Sequence, residues 1–443
     1  MYWPFWHRRK RSRDSPPLLP EGMDDHEMVS PADDARDRGP AKYFHGRSGI
    51  LAALARERRH AEKHQAGNIF LVQGAPGAGK TALLAECAKR AESKEWQVVE
   101  IDPDALWDPT TLRKALKARQ SKLQIEAASA QAGALGVGGV GITARVPELT
   151  TLDLLQHSGK EKLLLILDEA QRLGDGRAND VRRAEIASNV LTRIHNGELG
   201  RPVILLAGGL GTSRRAFEEL GISRFERKCL RELGRLTHES ERAILRDWLT
   251  KDGGAAGDVT PWIDAIAHET HGWPQHIMAY VDPAVTQLYQ DAGKLTLQGL
   301  DAVLCAGRKN RVAYYLGRLA DLRIEQRRAL AQIIATTPPG KGISYTDILK
   351  SLTRSHEKAE AEHLFEHALH KGVLAADEDG RYAVPIPSMH DWLLFSYLEH
   401  PPQVLPSPAP HLEARDVRSH EGNLPHDRER GLGGDIAFPN AVP

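Results

Sequence analysis

The run Gly74-Ala75-Pro76-Gly77-Ala78-Gly79-Lys80-Thr81 holds the residue types and spacing best suited to chemistry in this sequence. It matches the glycine-rich pattern G-x-x-x-x-G-K-[ST] at every fixed position, with an apolar segment before it and a helical pattern after it. Glycines let consecutive backbone N–H groups turn inward at a helix N-terminus, where they cradle phosphate oxygens. Lys80 is expected to reach the β- and γ-phosphates of a nucleotide, and the Thr81 hydroxyl to join the oxygen shell of Mg²⁺. The whole segment from Gly74 to Thr81 is therefore the expected nucleotide-binding loop.

A second run, Leu163-Leu164-Leu165-Ile166-Leu167-Asp168-Glu169-Ala170-Gln171, reads as a buried strand ending in two carboxylates. Such a strand places its carboxylates at the sheet edge where nucleotides bind. Asp168 is expected to hold Mg²⁺, directly or through water, and Glu169 to orient and polarise the water that attacks the γ-phosphate. An Asp-Glu pair after a strand is weak by itself, because it can simply begin a helix. Joined to the upstream loop, it makes ATP the expected ligand and hydrolysis the expected reaction.

Four near-continuous apolar runs must carry these groups: Ile69–Gln73, Gln97–Ile101, Leu163–Leu167 and Val203–Ala207. Runs of this kind, separated by helical patterns at Thr81–Ser93, Thr110–Leu123, Asp180–His195 and Ser213–Leu220, predict a parallel sheet with helices on both faces, an α/β fold. After Leu236 the pattern turns mainly helical up to about Ile334. A smaller unit follows, with helices expected at Ser344–Leu352 and Glu357–His370 and a hairpin over Gly372–Val384 around Asp377-Glu378-Asp379-Gly380. The expected organisation is a disordered leader (1–40), an α/β core (41–235) with a glycine-rich insertion near 127–146, a helical lid (236–322), a further unit (323–400) and a disordered tail (401–443).

With these residues in place, the chain resembles the AAA+ and STAND branch of P-loop ATPases, and within it bacterial ATP-binding proteins related to archaeal origin-recognition ATPases. Phe44-His45-Gly46-Arg47 resembles the segment that family sets ahead of the loop, so Arg47 is implied to lie close to the adenine. Arg224 and Arg227 fall where the family carries an arginine finger, and His271-Gly272-Trp273-Pro274 resembles the G-x-P element of its lid, which implicates Pro274 in nucleotide contact. The last unit resembles a winged-helix domain. Two departures stand out: Gly208 and Gly209 occupy the place of a polar sensor residue after the fourth apolar run, and Gly272-Trp273-Pro274-Gln275-His276 lacks the lid arginine that many AAA+ proteins direct at the γ-phosphate. Hydrolysis is accordingly expected to be slow, or to depend on self-association that delivers Arg224 or Arg227 from a neighbouring subunit; a solvated helix end is an equal reading of these arginines.

Composition bounds the remaining functions. The chain has 443 residues, 41% hydrophobic, with 59 basic residues against 59 acidic ones, so a large core is available and no overall field draws it to nucleic acid or anionic lipid. Cys87, Cys229 and Cys305 are too few and too scattered for a disulfide framework, which fits a reducing cytoplasm. The uncharged stretch Ala127–Ala144 carries five glycines and three polar residues, unsuited to a lipid-facing helix, so no membrane association is expected.

His363-Leu364-Phe365-Glu366-His367 matches a zinc-peptidase pattern, but no third ligand accompanies it. DNA is the alternative partner. Residues 321–400 hold nine Lys/Arg against twelve Asp/Glu, a net of −3, and the expected groove-entering helix carries Glu357, Glu360, Glu362 and Glu366, which disfavours DNA binding through it. The basic run Arg308, Lys309, Arg311, Arg318, Arg323, Arg327 and Arg328 is the segment that keeps that alternative open. An unidentified protein partner is the other expectation.

Overall fold

Leu163–Leu167 and Val203–Gly209 are buried at every position, because each lies inside a sheet covered on both faces. In the computed structural model, which describes residues 41–116, 149–157, 162–174, 180–222, 225, 228–336, 341–376 and 380–399, these segments are β3 and β4 of a five-stranded sheet. The others are β1 (Gly67–Gly74), β2 (Gln97–Glu100) and β5 (Leu230–Leu233). The order is β2-β3-β4-β1-β5 and every pairing is parallel. β4 therefore separates the strand leading into the glycine-rich loop from the strand carrying Asp168.

Alternate side chains of each strand feed two cores. On one face Phe70, Val72, Leu164, Ile166, Ile204 and Leu206 pack with α1 (Ser48–His64) and α2 (Lys80–Glu92). On the other, Ile69, Leu71, Leu163, Leu165, Leu167 and Leu205 pack with α3 (Pro109–Leu116), α4 (Thr151–His157), α5 (Val181–His195) and α6 (Ser213–Glu219). The expected α/β architecture is the one observed. β5 escaped the sequence reading because it is a four-residue edge strand, Leu230-Arg231-Glu232-Leu233, whose two central residues are charged.

Past β5 the chain builds α7 (His238–Asp247), α8 (Thr260–Thr270), α9 (Pro274–Gln290) and α10 (Leu297–Arg318) around a core of their own that includes Trp262, Ile266, Tyr280 and Leu288. It then forms α11 (Ile324–Ala335), α12 (Tyr345–Leu352), α13 (Lys358–His370), the antiparallel pair β6 (Ala375–Ala376) and β7 (Tyr382–Ala383), and α14 (Pro387–Leu394). A bridge from Ile343 to Tyr382 extends that pair, giving the helix, bridge, helix, helix, β-pair order of a winged helix. Its core residues, among them Leu330, Ile348, Leu364 and Met389, are continuous with the α1/α2 face of the sheet through Trp273, Tyr315 and Leu319. All described residues thus form one compact unit. The leader, the glycine-rich insertion, Asp377–Asp379 and the tail lie outside the described residues. No helix among the described residues is long and apolar enough to cross a membrane.

Candidate functional site

β1 runs out at Gly74 and α2 starts at Lys80, so five residues make the turn between strand and helix. Gly77 and Gly79 take φ of +76° and +87°, the left-handed region that side chains disfavour. α2 has no side-chain cap at Gly79, which leaves its first N–H groups for a ligand. Lys80 is buried, and its Nζ donates to the carbonyls of Gly74 (3.0 Å) and Ala75 (3.2 Å). Burial lowers its pKa against the opposing pull of the Glu169 and Asp168 carboxylates, so an anion in the loop would relieve an electrostatic cost already present.

The acidic edge meets the loop directly. Thr81 Oγ1 donates to Asp168 Oδ2 at 2.6 Å, and Asp168 Oδ1 accepts from the Glu169 N–H at 2.9 Å. A hydroxyl and a carboxylate side by side, both hard oxygen donors, fit Mg²⁺. Glu169 sits at φ +56°, outside the region that non-glycine residues favour. Its carboxylate accepts from Gln171 Nε2, and Gln171 Oε1 accepts the Leu210 N–H at 3.0 Å just beyond β4. Glu100, at the end of β2, is a third carboxyl here; desolvation and the neighbouring Asp168 hold its pKa up. A single Glu closing an apolar run carries no pattern that would mark it in the sequence.

The missing polar residue after β4 has a steric reason. A Cβ on Gly208 would lie 2.8 Å from Leu84 Cδ1 and 3.4 Å from Asp168 Oδ1, and one on Gly209 would lie 2.7 Å from Gln171 Oε1. Leu84 of α2 and Ser213 of α6, with Asp168 and Gln171 of the turn after β3, fill the space that a sensor residue would need.

The other expected residues fall as follows. Arg47 is braced on backbone, donating to Ala78 O (3.3 Å), Gly234 O (2.5 Å) and Arg235 O (3.2 Å), which ties the loop to the end of β5. Burial lowers its pKa. Pro274 lies over the loop, its Cγ 3.5 Å from where a Gly79 Cβ would project. Arg224 and Arg227 lie outside the described residues.

Residues without a recognisable motif complete the roof. The Gln275 N–H donates to Gly77 O at 3.1 Å, and the Tyr314 hydroxyl donates to Pro76 O at 3.0 Å. Gly372, after α13, approaches so closely that a Cβ there would overlap the Pro76 ring. The Arg318 guanidinium stacks 5.1 Å from the Tyr314 ring centroid, donates to Lys371 O at 3.3 Å and opposes the charge on Lys80. Trp273 is buried against Gly77.

Five of the basic residues of the run from Arg308 to Arg328 make contacts within the chain, with Arg318 on the Lys371 carbonyl. Arg308 and Arg311 hold Glu269, Arg323 holds Glu360, and Arg327 donates to Leu322 O at 2.8 Å. His363 and His367 stack along α13, and no cluster of three metal-binding side chains occurs among the described residues. A cavity of about 470 Å³ lies beside α7 and α8 instead of over Lys80, bounded by Arg235, Leu236, Glu241, His268 and His271.

Residues 43–212 match the family described as the AAA ATPase domain, and both the glycine-rich loop and Asp168-Glu169 fall inside the matched segment. No curated protein matches the chain. Among solved structures, the ORC2 protein of Aeropyrum pernix in its ADP form is 16% identical with a TM-score of 0.48, over 81% of this chain and 96% of that one. The ORC1 protein of Aeropyrum pernix in complex with DNA is 16% identical with a TM-score of 0.38, over 80% and 93%. Cdc6p from Pyrobaculum aerophilum is 14% identical with a TM-score of 0.37, over 81% and 97%.

Proposed function

We propose that this protein is an ATP-hydrolysing switch in which the nucleotide in the glycine-rich loop sets the position of the lid helices and the C-terminal winged-helix unit. The observation that carries the reading is the grip on two adjacent loop residues. Pro76 and Gly77 accept hydrogen bonds from Tyr314 and Gln275, and Pro76 packs on Gly372. Phosphates drawn into the loop cannot shift these backbone groups without shifting the helices that hold them.

In this mechanism the N–H groups of Gly77 to Thr81 and the Lys80 ammonium bind the β- and γ-phosphates. Thr81 and Asp168 hold Mg²⁺, which would neutralise charge that develops on the phosphate oxygens. Glu169 orients a water and accepts its proton as the water oxygen bonds to the γ-phosphorus. The bond from that phosphorus to the bridging oxygen breaks, releasing ADP and inorganic phosphate. Arg47 acts as a brace between the loop and the segment after β5, and Pro274 closes over the nucleotide. Arg224 or Arg227, delivered by a neighbouring subunit, supplies the remaining positive charge.

The test is hydrogen exchange at the Tyr314 and Gly372 segments with ATP, ADP and no nucleotide, beside the Lys80→Ala variant. The expected result is nucleotide-dependent protection in the wild type and none in Lys80→Ala. Nucleotide binding without any change in these segments would leave an ATPase and remove the switch.

The alternative is a DNA-associated ATPase whose loading is gated by ATP. A DNA complex is known for one structure similar in outline, and the basic run of α10 and α11 is the surface it would use. The internal engagement of Arg308, Arg311, Arg318, Arg323 and Arg327 counts against it. Duplex binding that weakens steeply with salt would restore this reading.

A further inference from the structure

Gln171 is nine-tenths buried yet spans two parts of the ATPase core through opposite ends of its amide. The Nε2 end donates to the Glu169 carboxylate, and the Oε1 end accepts the Leu210 N–H at 3.0 Å, with Ser213 Oγ at 3.5 Å. Leu210 and Ser213 flank the turn from β4 into α6, so one side chain joins the turn after β3 to the turn after β4. The space it occupies is cleared by Gly209, where a Cβ would lie 2.7 Å from Gln171 Oε1.

Glu169 itself is held in a left-handed conformation, φ +56° and ψ +44°. A non-glycine residue stays there only where its surroundings over-determine it. Two bonds fix the backbone: the Glu169 N–H donates to Asp168 Oδ1 at 2.9 Å, and its carbonyl accepts from the Arg172 N–H at 2.9 Å. Neither fixes the carboxylate. Gln171 does, because its donor end reaches one carboxylate oxygen while its acceptor end is anchored in the next turn.

We infer that Gln171 is a positioning residue for hydrolysis, setting where the Glu169 carboxylate lies and making that position depend on the turn between β4 and α6. The inference rests on the proposed role of Glu169 in activating water. It accounts for the glycines at the end of β4, since the link that a polar residue on β4 would make is made from β3. Movement of the Leu210–Ser213 turn draws on the Gln171 amide and displaces the carboxylate from the water. The turn after β4, itself bonded by Gln73 through the carbonyls of Leu210 and Gly211, thereby gains control over turnover through the position of the Glu169 carboxylate.

The test uses the full chain in single-turnover hydrolysis with protein in excess over ATP, together with nucleotide affinity. Gln171→Glu keeps the side-chain shape and an acceptor for Leu210 but loses the donor to Glu169. Gln171→Leu removes both ends, and Gly209→Ala drives its Cβ first against Ser213 Oγ and then against Gln171 Oε1, so it displaces the turn in which the amide is anchored. Each is expected to slow hydrolysis about tenfold to a hundredfold with nucleotide affinity within about twofold of wild type. In a Glu169→Gln background the same substitutions are expected to cause no further loss, because Gln171 acts through Glu169. Hydrolysis at the wild-type rate in Gln171→Glu overturns the inference. So does an equal further loss in the Glu169→Gln background, which would make Gln171 a purely structural residue. If Gln171→Leu fails to fold, Gln171→Glu and Gly209→Ala decide. Wild-type-like hydrolysis in Glu169→Gln alone would instead remove the role of Glu169, an outcome distinct from these.

Discussion

Thr81 and Asp168 stand 87 positions apart in sequence and are joined by a 2.6 Å hydrogen bond from hydroxyl to carboxylate. The strands that deliver them are not neighbours: β4 lies between β1 and β3, so the two residues converge only beyond the strand ends. This pairing turns two separate sequence motifs into one oxygen-rich corner beside Lys80.

If that corner holds Mg²⁺, its loss separates cation dependence from phosphate binding. Thr81→Ala is expected to lower ATP affinity tenfold or more in Mg²⁺ and to change it little in chelator, because the loop N–H groups and Lys80 remain. Titration of a fluorescent ATP analogue under both conditions measures it. An unchanged ratio between the two conditions would remove Thr81 from the cation shell.

The roof gives a second expectation. Gly372 has φ +66° and faces the Pro76 ring, so Gly372→Ala combines backbone strain with overlap. The variant is expected to be destabilised by about 1–3 kcal/mol. Tyr314→Phe removes only the hydroxyl that donates to Pro76 O and should cost about 1 kcal/mol. Both should loosen the C-terminal unit, read as faster proteolysis near Gly372 in the nucleotide-free protein. Tyr314→Phe without any such change would show that the contact does not hold the roof.

Much of the core was legible because β3, β4 and the Ile69–Val72 centre of β1 are buried on both faces and must be apolar. The loop and the two carboxylates were legible because phosphate and cation chemistry dictates residue types at fixed spacing. The roof was not. Gln275, Tyr314 and Gly372 act through a backbone N–H, a hydroxyl and an absent side chain, brought together from segments far apart in the chain. Nothing local marks such residues. Gly208 and Gly209 appeared as a departure in one dimension, and become necessary once Leu84, Ser213 and Gln171 fill the space in front of them.

Acid should act on the junction of α9 and α10 with α14. His276 is buried, and its Nε2 meets the Tyr315 hydroxyl at 3.1 Å, which in turn meets Ser388 Oγ at 2.8 Å. Burial, with the positive field of Arg311 and His271, pulls its pKa from 6.5 down to about 3. The folded state therefore binds fewer protons than the unfolded chain between these values, so stability falls as pH drops below 6.5. The expected slope from this residue is about 1.4 kcal/mol per pH unit. Denaturant unfolding at a series of pH values measures it, and His276→Gln should remove that portion of the slope. An identical pH dependence in the variant would contradict the buried neutral imidazole.

Glu169→Gln separates binding from chemistry. The amide nearly preserves the volume of the carboxylate but cannot accept a proton from water. Its Oε1 can still receive the Gln171 N–H, so the turn after β3 is expected to keep its shape. Nucleotide affinity should stay within about twofold of wild type while turnover falls by about a hundredfold or more, the usual contribution of a positioned base. The variant would then hold ATP unhydrolysed and accumulate the closed arrangement of Gln275, Tyr314 and Gly372 over the loop. Hydrogen exchange on that trapped complex would read the roof in its ATP state. Turnover retained in Glu169→Gln would move the search for the base to Glu100, the remaining carboxyl beside Asp168, whose raised pKa already marks it as electrostatically coupled to the site.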